Sequence, residues 1–258
     1  MSRIGRTFKR IREKKGKAFI PYIMAGDPDL NRTVQLVKML EDCGADIIEL
    51  GVPFSDPLAD GPTIQKAAQR ALREGVTLGG VIDLVADLRK VTQIPIILMT
   101  YYNPVFRYGE ERFVRDASAA GVDGMIVPDL PPDEAGVLRK YARKAAFDTI
   151  FLLAPTSTEE RIRTVARAST GFIYYVSITG ITGAKLSMDS AIGSHISRIR
   201  QESRTPVAVG FGISTPEEAS AVSRFADGVI IGSAIVKRTE EPDEDLKAYL
   251  LSLRGAIA

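Results

Sequence analysis

The sequence predicts an α/β fold, a TIM (β/α)8 barrel with an extra N-terminal helix. Eight short apolar segments alternate with amphipathic segments, and the 258-residue length is close to the usual size of such barrels. Strict alternation implies parallel strands joined by right-handed crossovers, and eight units favour a closed barrel over a doubly wound sheet. Because no linker or composition shift divides the chain, we expect residues 1–258 to form a single domain.

The predicted strands are continuous, short and mostly β-branched, as expected for parallel strands that are covered on both faces. The sequence places them at Phe19–Met24, Asp46–Leu50, Pro95–Thr100, Gly124–Val127, Thr149–Leu153, Phe172–Val176, Pro206–Val209 and Gly228–Ile231.

Each predicted helix carries one apolar stripe. The stripe is clearest in Pro62–Glu74, where Ile64, Ala67 and Ala71 follow helical spacing and a proline occupies the first position. Ser157 and Thr158 are typical of a helix start. The remaining predicted helices are Asn31–Cys43, Gly79–Lys90, Pro132–Ala145, Ala191–Arg200, Pro216–Phe225 and Asp243–Leu253.

The N-terminal segment is basic and lacks the apolar core of a secretory signal. Ile4, Phe8 and Ile11 lie at helical spacing, which predicts a short surface helix that plugs one end of the barrel.

Composition excludes several classes of protein. A net charge of +2 gives no reason to expect nucleic acid or an anionic membrane as a partner. The chain has no apolar run of 18 residues, so no spanning helix is expected. Its single cysteine, Cys43, excludes an internal disulfide, fits a reducing cytoplasmic compartment and argues against a zinc site.

Glu49 is predicted to point into the barrel near the end of the second strand. If Ile48 and Leu50 face the helices, alternation turns Ile47 and Glu49 inward. A buried carboxylate is costly unless it is used or paired, and desolvation raises its pKa, which suits a group that donates and then accepts a proton. Since neighbouring strands offer no inward Lys or Arg, acid/base catalysis is favoured over a structural ion pair.

Asp60 follows in the loop after this strand, directly before Gly61 and Pro62. Its spacing fits a second catalytic carboxylate and a turn or helix-capping acid equally well. Asp56, which precedes Pro57, is more typical of a turn or of an interface.

The units after the second and sixth strands are the longest, which predicts a lid or specificity structure, with functionless padding as the alternative. Glycines follow three late strands, at Gly180–Gly183, Gly210–Gly212 and Gly232. Barrel enzymes often bind phosphate at such loops, so a phosphate-carrying substrate is predicted, with tight turns alone as the alternative.

Aromatic residues are expected at the same end of the barrel, some of them in the core, and they suggest a planar, apolar substrate body. They are Tyr22, Tyr101, Tyr102, Tyr174, Tyr175 and Phe211. His195, the one histidine, is interpreted as a packing or surface residue. No lysine occupies a strand interior, which argues against a Schiff-base aldolase.

Seven segments resemble the tryptophan synthase alpha subunit family, in that family's order and over essentially the whole chain. They are FIPYIMAGDPD, ELGVPFSDPLADGPTIQ, TYYNPVFRYG, DGMIVPDLPPDE, TGITGA, VGFGIS and IIGSAIV. The resemblance implies a lyase of tryptophan biosynthesis that cleaves indole-3-glycerol phosphate to indole and glyceraldehyde 3-phosphate.

The resemblance also implies residue roles. Glu49 and Asp60 match the catalytic acids of the family, which resolves the two interpretations of Asp60 in favour of catalysis. Positions around the indole and glycerol are matched by Tyr22, Tyr101, Tyr174, Thr182 and Phe211, and positions around the phosphate by Gly183, Gly212, Gly232 and Ser233. Thr179 stands where some members carry arginine, so the contacts that close the sixth loop are left open.

By resemblance, the chain holds no metal and no cofactor and works in an α2β2 heterotetramer with a beta subunit that carries pyridoxal phosphate. Pro53, Asp56 and the turn at 102–104 would face that partner. Three alternatives stay open: another phosphate-binding barrel enzyme, a catalytically silent subunit that only activates a partner, and a stand-alone lyase that releases indole.

Overall fold

The computed structural model describes residues 1–177, 185–210 and 212–257, with the backbone alone for 185–191. The predictions for Thr179, Thr182, Gly183 and Phe211 concern residues outside these described ranges.

Eight parallel strands form the centre of the structure, and all eight predicted strands are confirmed. The fifth is interrupted at Phe151; its first segment pairs with the fourth strand and its second with the sixth, so the sheet closes on itself. The strands are β1 (Ala18–Met24), β2 (Ile48–Gly51), β3 (Ile96–Met99), β4 (Gly124–Ile126), β5 (Asp148–Ile150 and Leu152–Leu153), β6 (Ile173–Val176), β7 (Val207–Gly210) and β8 (Gly228–Ile231).

Helices surround this barrel, with one or two after most strands. They are α1 (Arg3–Glu13), α2 (Leu30–Asp42), α3 (Pro62–Arg73), α4 (Leu78–Leu88), α5 (Tyr102–Tyr108), α6 (Glu110–Ala120), α7 (Gly136–Lys144), α8 (Glu159–Ala168), α9 (Lys185–Glu202), α10 (Pro216–Ser223), α11 (Ser233–Arg238) and α12 (Asp243–Ile257). None of the helices in the described ranges is long and apolar enough to cross a membrane.

The predicted helices are confirmed with shifted ends. The largest shift is in α9, which begins at Lys185 rather than Ala191. The helix α7 begins at Gly136 rather than Pro132, because Glu134 and Ala135 donate their amides to the carbonyl of Pro131 in turns that precede the helix. The helices α5, α6 and α11 were not among those predicted from periodicity.

The barrel separates two apolar cores, as strand alternation predicts. Ile47 packs inside the barrel, whereas Ile48 and Leu50 pack against the surrounding helices. At the N-terminal end of the strands, α1 buries Ile4, Phe8 and Ile11 against the inner core, and the Phe8 ring centroid lies 5.8 Å from that of Phe172. The plug predicted for the N-terminal helix is therefore confirmed.

The long second unit contains an extra helix, α3, before the helix that returns the chain to the next strand, α4. The eighth unit likewise contains α11 before α12. Both extra helices follow directly on loops at the C-terminal end of the barrel, and α3 packs against β1 and α11. The added length of the second unit therefore lies beside the cavity described next.

Candidate active site

A cavity of about 250 Å³ opens at the C-terminal end of the barrel. Seven of the predicted site residues line it: Tyr22, Glu49, Asp60, Tyr174, Gly212, Gly232 and Ser233. Its apolar wall comes from Ile64, Met99, Ile213 and Ile230. The strand ends and loops thus bring both acids, two tyrosines and three late-loop residues to one space.

Glu49 reaches this cavity from the inside of β2, where only 1% of its surface is exposed. Its strand neighbours in register are Tyr22 on β1 and Ile97 on β3, so neither supplies a cation. In the described part of the chain, neither carboxylate oxygen of Glu49 has a hydrogen-bond partner. Burial, and secondarily the charge of Asp60, raise the pKa of Glu49 to about 8, so at neutral pH the group holds a proton that it can donate.

Asp60 is not the cap of α3, because the N-cap position belongs to Gly61. Instead its carbonyl oxygen accepts a hydrogen bond of 2.8 Å from Nε2 of Gln65, which fastens the residue to the first turn of the helix. Burial raises the pKa of Asp60 to about 6, and a hydrogen bond from Tyr101 partly offsets that rise. Asp60 is therefore largely ionised at a pH at which Glu49 is still protonated, and the two carboxyls have different environments.

Tyr101 lies behind Asp60 rather than in the cavity wall. Its hydroxyl accepts a hydrogen bond of 2.9 Å from the amide of Ala59 and also contacts the carboxylate of Asp60. Its ring lies 5.4 Å, centroid to centroid, from that of Phe54 in the same loop. Tyr101 thus holds the loop that carries Asp60.

Tyr22 and Tyr174 point into the cavity, and each hydroxyl lies against a glycine of the next strand. A Cβ on Gly51 would lie 2.1 Å from the Tyr22 hydroxyl oxygen, and one on Gly210 would lie 2.4 Å from that of Tyr174. Burial raises the pKa of both tyrosines well above the usual value, so both hydroxyls stay protonated. Gly210, expected to admit a ligand, instead makes room for Tyr174.

The predicted phosphate-binding residues that the structure describes, Gly212, Gly232 and Ser233, also line the cavity. Gly212 has a φ of +74°, a conformation that side chains rarely adopt. Gly232 is the N-cap of α11 and Ser233 is its first residue. Amides at a helix start have no partner within the helix, so the first amides of α11 are suited to donate to a ligand in the cavity.

Several residues of the wall were missed by the sequence analysis. Ile64 had been assigned only to the packing stripe of α3, and Met99, Ile213 and Ile230 look like any buried strand-end residue. Of the other aromatic candidates, Tyr175 faces the outer core and lies 6.1 Å from the ring of His195, so both have packing roles. Within residues 1–177, 192–210 and 212–257, no group of three possible metal ligands is found.

Comparison with known proteins places this arrangement in a family. The family model described as "Tryptophan synthase alpha chain" matches residues 8–254. The chain belongs to this family. The tryptophan synthase alpha chain of Geotalea daltonii is 54% identical to it over 258 residues, covering 100% of this chain and 98% of the relative. That of Geobacter sulfurreducens is 51% identical, with 100% and 99% covered.

Solved structures of the tryptophan synthase alpha family share the whole fold. The crystal structure of tryptophan synthase subunit alpha from Legionella pneumophila superimposes with a TM-score of 0.91 at 38% identity, covering 100% of this chain and 98% of that one. A structure of Mycobacterium tuberculosis tryptophan synthase gives 0.91 at 40% identity, covering 99% and 98%. The TIM-barrel prediction and the family resemblance are both confirmed.

Proposed function

We propose that this chain is the alpha subunit of a tryptophan synthase and cleaves indole-3-glycerol phosphate to indole and glyceraldehyde 3-phosphate. One observation supports the activity above all others. In a member of this family, Glu49 is a buried carboxyl with no hydrogen-bond partner among the described residues, and it shares a cavity with a second carboxyl, Asp60, of lower pKa. A residue that donates and then accepts a proton needs this arrangement. Without such a function, an unpaired buried carboxyl would only lower the stability of the fold.

The reaction breaks the bond between C3 of the indole ring and the glycerol chain. Glu49 donates its proton to C3, which turns the ring into an electron sink with positive charge at the ring nitrogen. Asp60, as a carboxylate, accepts the hydrogen bond of the ring N–H and stabilises that charge. Glu49 then takes the proton of the adjacent glycerol hydroxyl; a C=O bond forms, the C–C bond breaks, and its electrons return to the ring.

The rest of the cavity suits the two ends of this substrate. Apolar Ile64, Met99 and Ile230 offer a surface for the indole. Gly212, Gly232 and Ser233 supply backbone N–H groups near the anionic phosphate. Thr182, Gly183 and Phe211 are proposed to complete the site on the strength of the family match alone.

The partner is proposed to be a beta subunit that carries pyridoxal phosphate, in an α2β2 complex, with no cofactor in this chain. Exposed apolar side chains support docking at the mouth of the barrel: Leu58, which is 94% exposed, follows β2, and Phe106, which is 63% exposed, follows β3. They lie within a few residues of Pro53, Asp56 and the turn at 102–104. We also propose a cytoplasmic location, in keeping with the unpaired Cys43.

The decisive experiment measures indole release from indole-3-glycerol phosphate by the purified chain, alone and with a tryptophan synthase beta subunit. We expect slow release alone and faster release in the complex. Equal rates in both would support a stand-alone lyase, and release in neither would contradict the proposed activity. If the chain released no indole but increased the rate of the beta subunit, it would be a catalytically silent subunit that only activates its partner.

A bell-shaped pH dependence of kcat/KM is a further expectation, because the reaction needs Asp60 ionised and Glu49 protonated. Activity should rise as Asp60 ionises, near a pKa of about 6, and fall as Glu49 loses its proton, near a pKa of about 8. Initial rates at low substrate concentration between pH 5 and 9 would show both limbs.

The phosphate of the substrate also titrates near pH 6, so the acid limb needs a control. Tyr101→Phe removes a hydrogen bond that lowers the pKa of Asp60, and should move the acid limb to higher pH without moving the basic limb. Phosphate ionisation cannot respond to that substitution. A profile that stayed flat up to pH 9 would contradict the role given to Glu49.

A further inference from the structure

Arg70 joins three chain segments around the proposed active site. It lies on α3, and its Nε and Nη2 atoms donate hydrogen bonds of 2.6 and 2.8 Å to the two carboxylate oxygens of Asp27, which follows β1. Nη2 also lies 3.1 Å from Oε1 of Glu240, which follows α11. One guanidinium therefore links the helix that follows Asp60 to the loop after β1 and to the end of the helix that begins at Ser233.

The packing face of α3 indicates why this link is needed to fix the position of the helix. Three of the four side chains that the helix fully buries are alanines, Ala67, Ala68 and Ala71; the fourth is Ile64, while Leu72 is half-buried. Alanine methyl groups form shallow ridges. Their burial therefore favours contact between the helices but does little to fix the position of α3 along its own axis. A rigid, bidentate fork on a carboxylate that is only 3% exposed supplies that missing constraint.

Asp60 is coupled to any movement of α3. Gln65 in the first turn donates from its side chain to the carbonyl of Asp60, and from its amide to the carbonyl of Gly61. A shift of the helix is thereby passed to the carboxylate that faces Glu49 across the cavity. Misplacing a catalytic group by about 1 Å can cost on the order of 100-fold in rate.

We propose that Arg70 is a positioning residue for the cleavage reaction: through Asp27 and Glu240 it holds α3 in the place where Asp60 serves the substrate ring. The proposal rests on the activity proposed above. Arg70 itself is absent from the residues that line the cavity, so it acts through Asp60 and makes no contact with substrate.

The test compares Arg70→Gln with Arg254→Gln. Arg254 is a matched control, because it too pairs with a mostly buried aspartate, Asp46 at 3.1 Å, and is exposed to a similar degree, but Asp46 precedes β2 at the opposite end of the barrel. Arg70→Gln should lower kcat by about 10- to 100-fold, whereas Arg254→Gln should leave kcat unchanged. Thermal unfolding of both variants reports how much stability each loses.

Arg70→Lys keeps a cation beside Asp27, so it remains informative if Arg70→Gln fails to fold. It loses the fork and should give a kcat between those of the wild type and of Arg70→Gln. The proposal would be overturned if both Arg70→Lys and Arg70→Gln kept the wild-type kcat. If Arg70→Gln does not fold, a wild-type kcat in Arg70→Lys alone would overturn it.

A double-mutant cycle separates positioning from general destabilisation. In an Asp60→Asn background, Arg70→Gln should lower kcat far less than it does in the wild type, because the group it positions is already lost. An undiminished effect in that background would also overturn the proposal. A wild-type protein that released no indole would instead contradict the proposed activity, so the two failures are distinguishable.

Discussion

Glu49→Gln is expected to abolish indole release while leaving the fold intact. Glutamine matches the shape of the neutral acid but cannot donate a proton to the ring or take one from the glycerol hydroxyl. General acid–base catalysis contributes about 10²- to 10⁴-fold, and Glu49 is assigned both transfers, so the loss in kcat should lie at or above the upper end. Single-turnover assays with excess enzyme would measure it.

The same substitution should stabilise the protein at neutral and higher pH. The folded-state pKa of Glu49, about 8, lies above its ordinary value of 4.5. The folded chain therefore keeps a proton that the unfolded chain loses, and the contribution of Glu49 to stability falls as pH rises from 4.5 to 8. Between pH 5 and 8, wild-type unfolding free energy should fall relative to that of Glu49→Gln by about 3 kcal/mol.

Asp148→Asn provides a matched control for the turnover measurement. Asp148 is another buried acid on a barrel strand whose pKa is raised by burial, and its Oδ2 atom has no hydrogen-bond partner in the described part of the chain. It lies at the start of β5, away from the cavity, so the variant should keep wild-type turnover. Near-normal turnover in Glu49→Gln, or an equal loss in Asp148→Asn, would contradict the role of Glu49.

Glu49 could be placed from sequence because strand alternation has a strict period of two. Once Ile48 and Leu50 are assigned to the helix side, Glu49 must face inward, and the structure places it there. The position of Asp60 could not be deduced in this way. Whether an acid before a Gly-Pro pair caps the helix depends on loop dihedral angles, and only the coordinates show that Gly61 is the cap.

Short elements and cross-strand contacts were beyond the reach of the sequence. The six residues of α11 are too few to show helical periodicity. Gly109, with a φ of +93°, separates α5 from α6, and α6 buries only the short stripe of Phe113, Val114 and Ala117. The contact of Tyr174 with Gly210 joins residues on adjacent strands that are distant in sequence. Such contacts depend on which strands are neighbours in the closed barrel, so the sequence alone does not predict them.

Asp60→Asn is expected to lower kcat by about 10²- to 10³-fold, the usual cost of removing one preorganised electrostatic contact to a transition state. An asparagine oxygen can still accept the ring N–H hydrogen bond, so substrate binding should change less than turnover. What it lacks is the negative charge that opposes the positive charge developing at the ring nitrogen. Separate determination of kcat and KM would show this division.

The substitution should also alter the titration of Glu49, and that effect tests the site independently of the rate. The charge of Asp60 is one of the two causes that raise the pKa of Glu49. Removing that charge makes the ionised form of Glu49 less unfavourable, so the basic limb of the pH profile should move from near pH 8 to lower pH. Tyr101→Phe, which leaves the charge in place, should not move it. If the basic limb stayed where it was in Asp60→Asn, the two carboxyls would not interact across the cavity, and the role of the Asp60 charge in keeping Glu49 protonated would have to be abandoned.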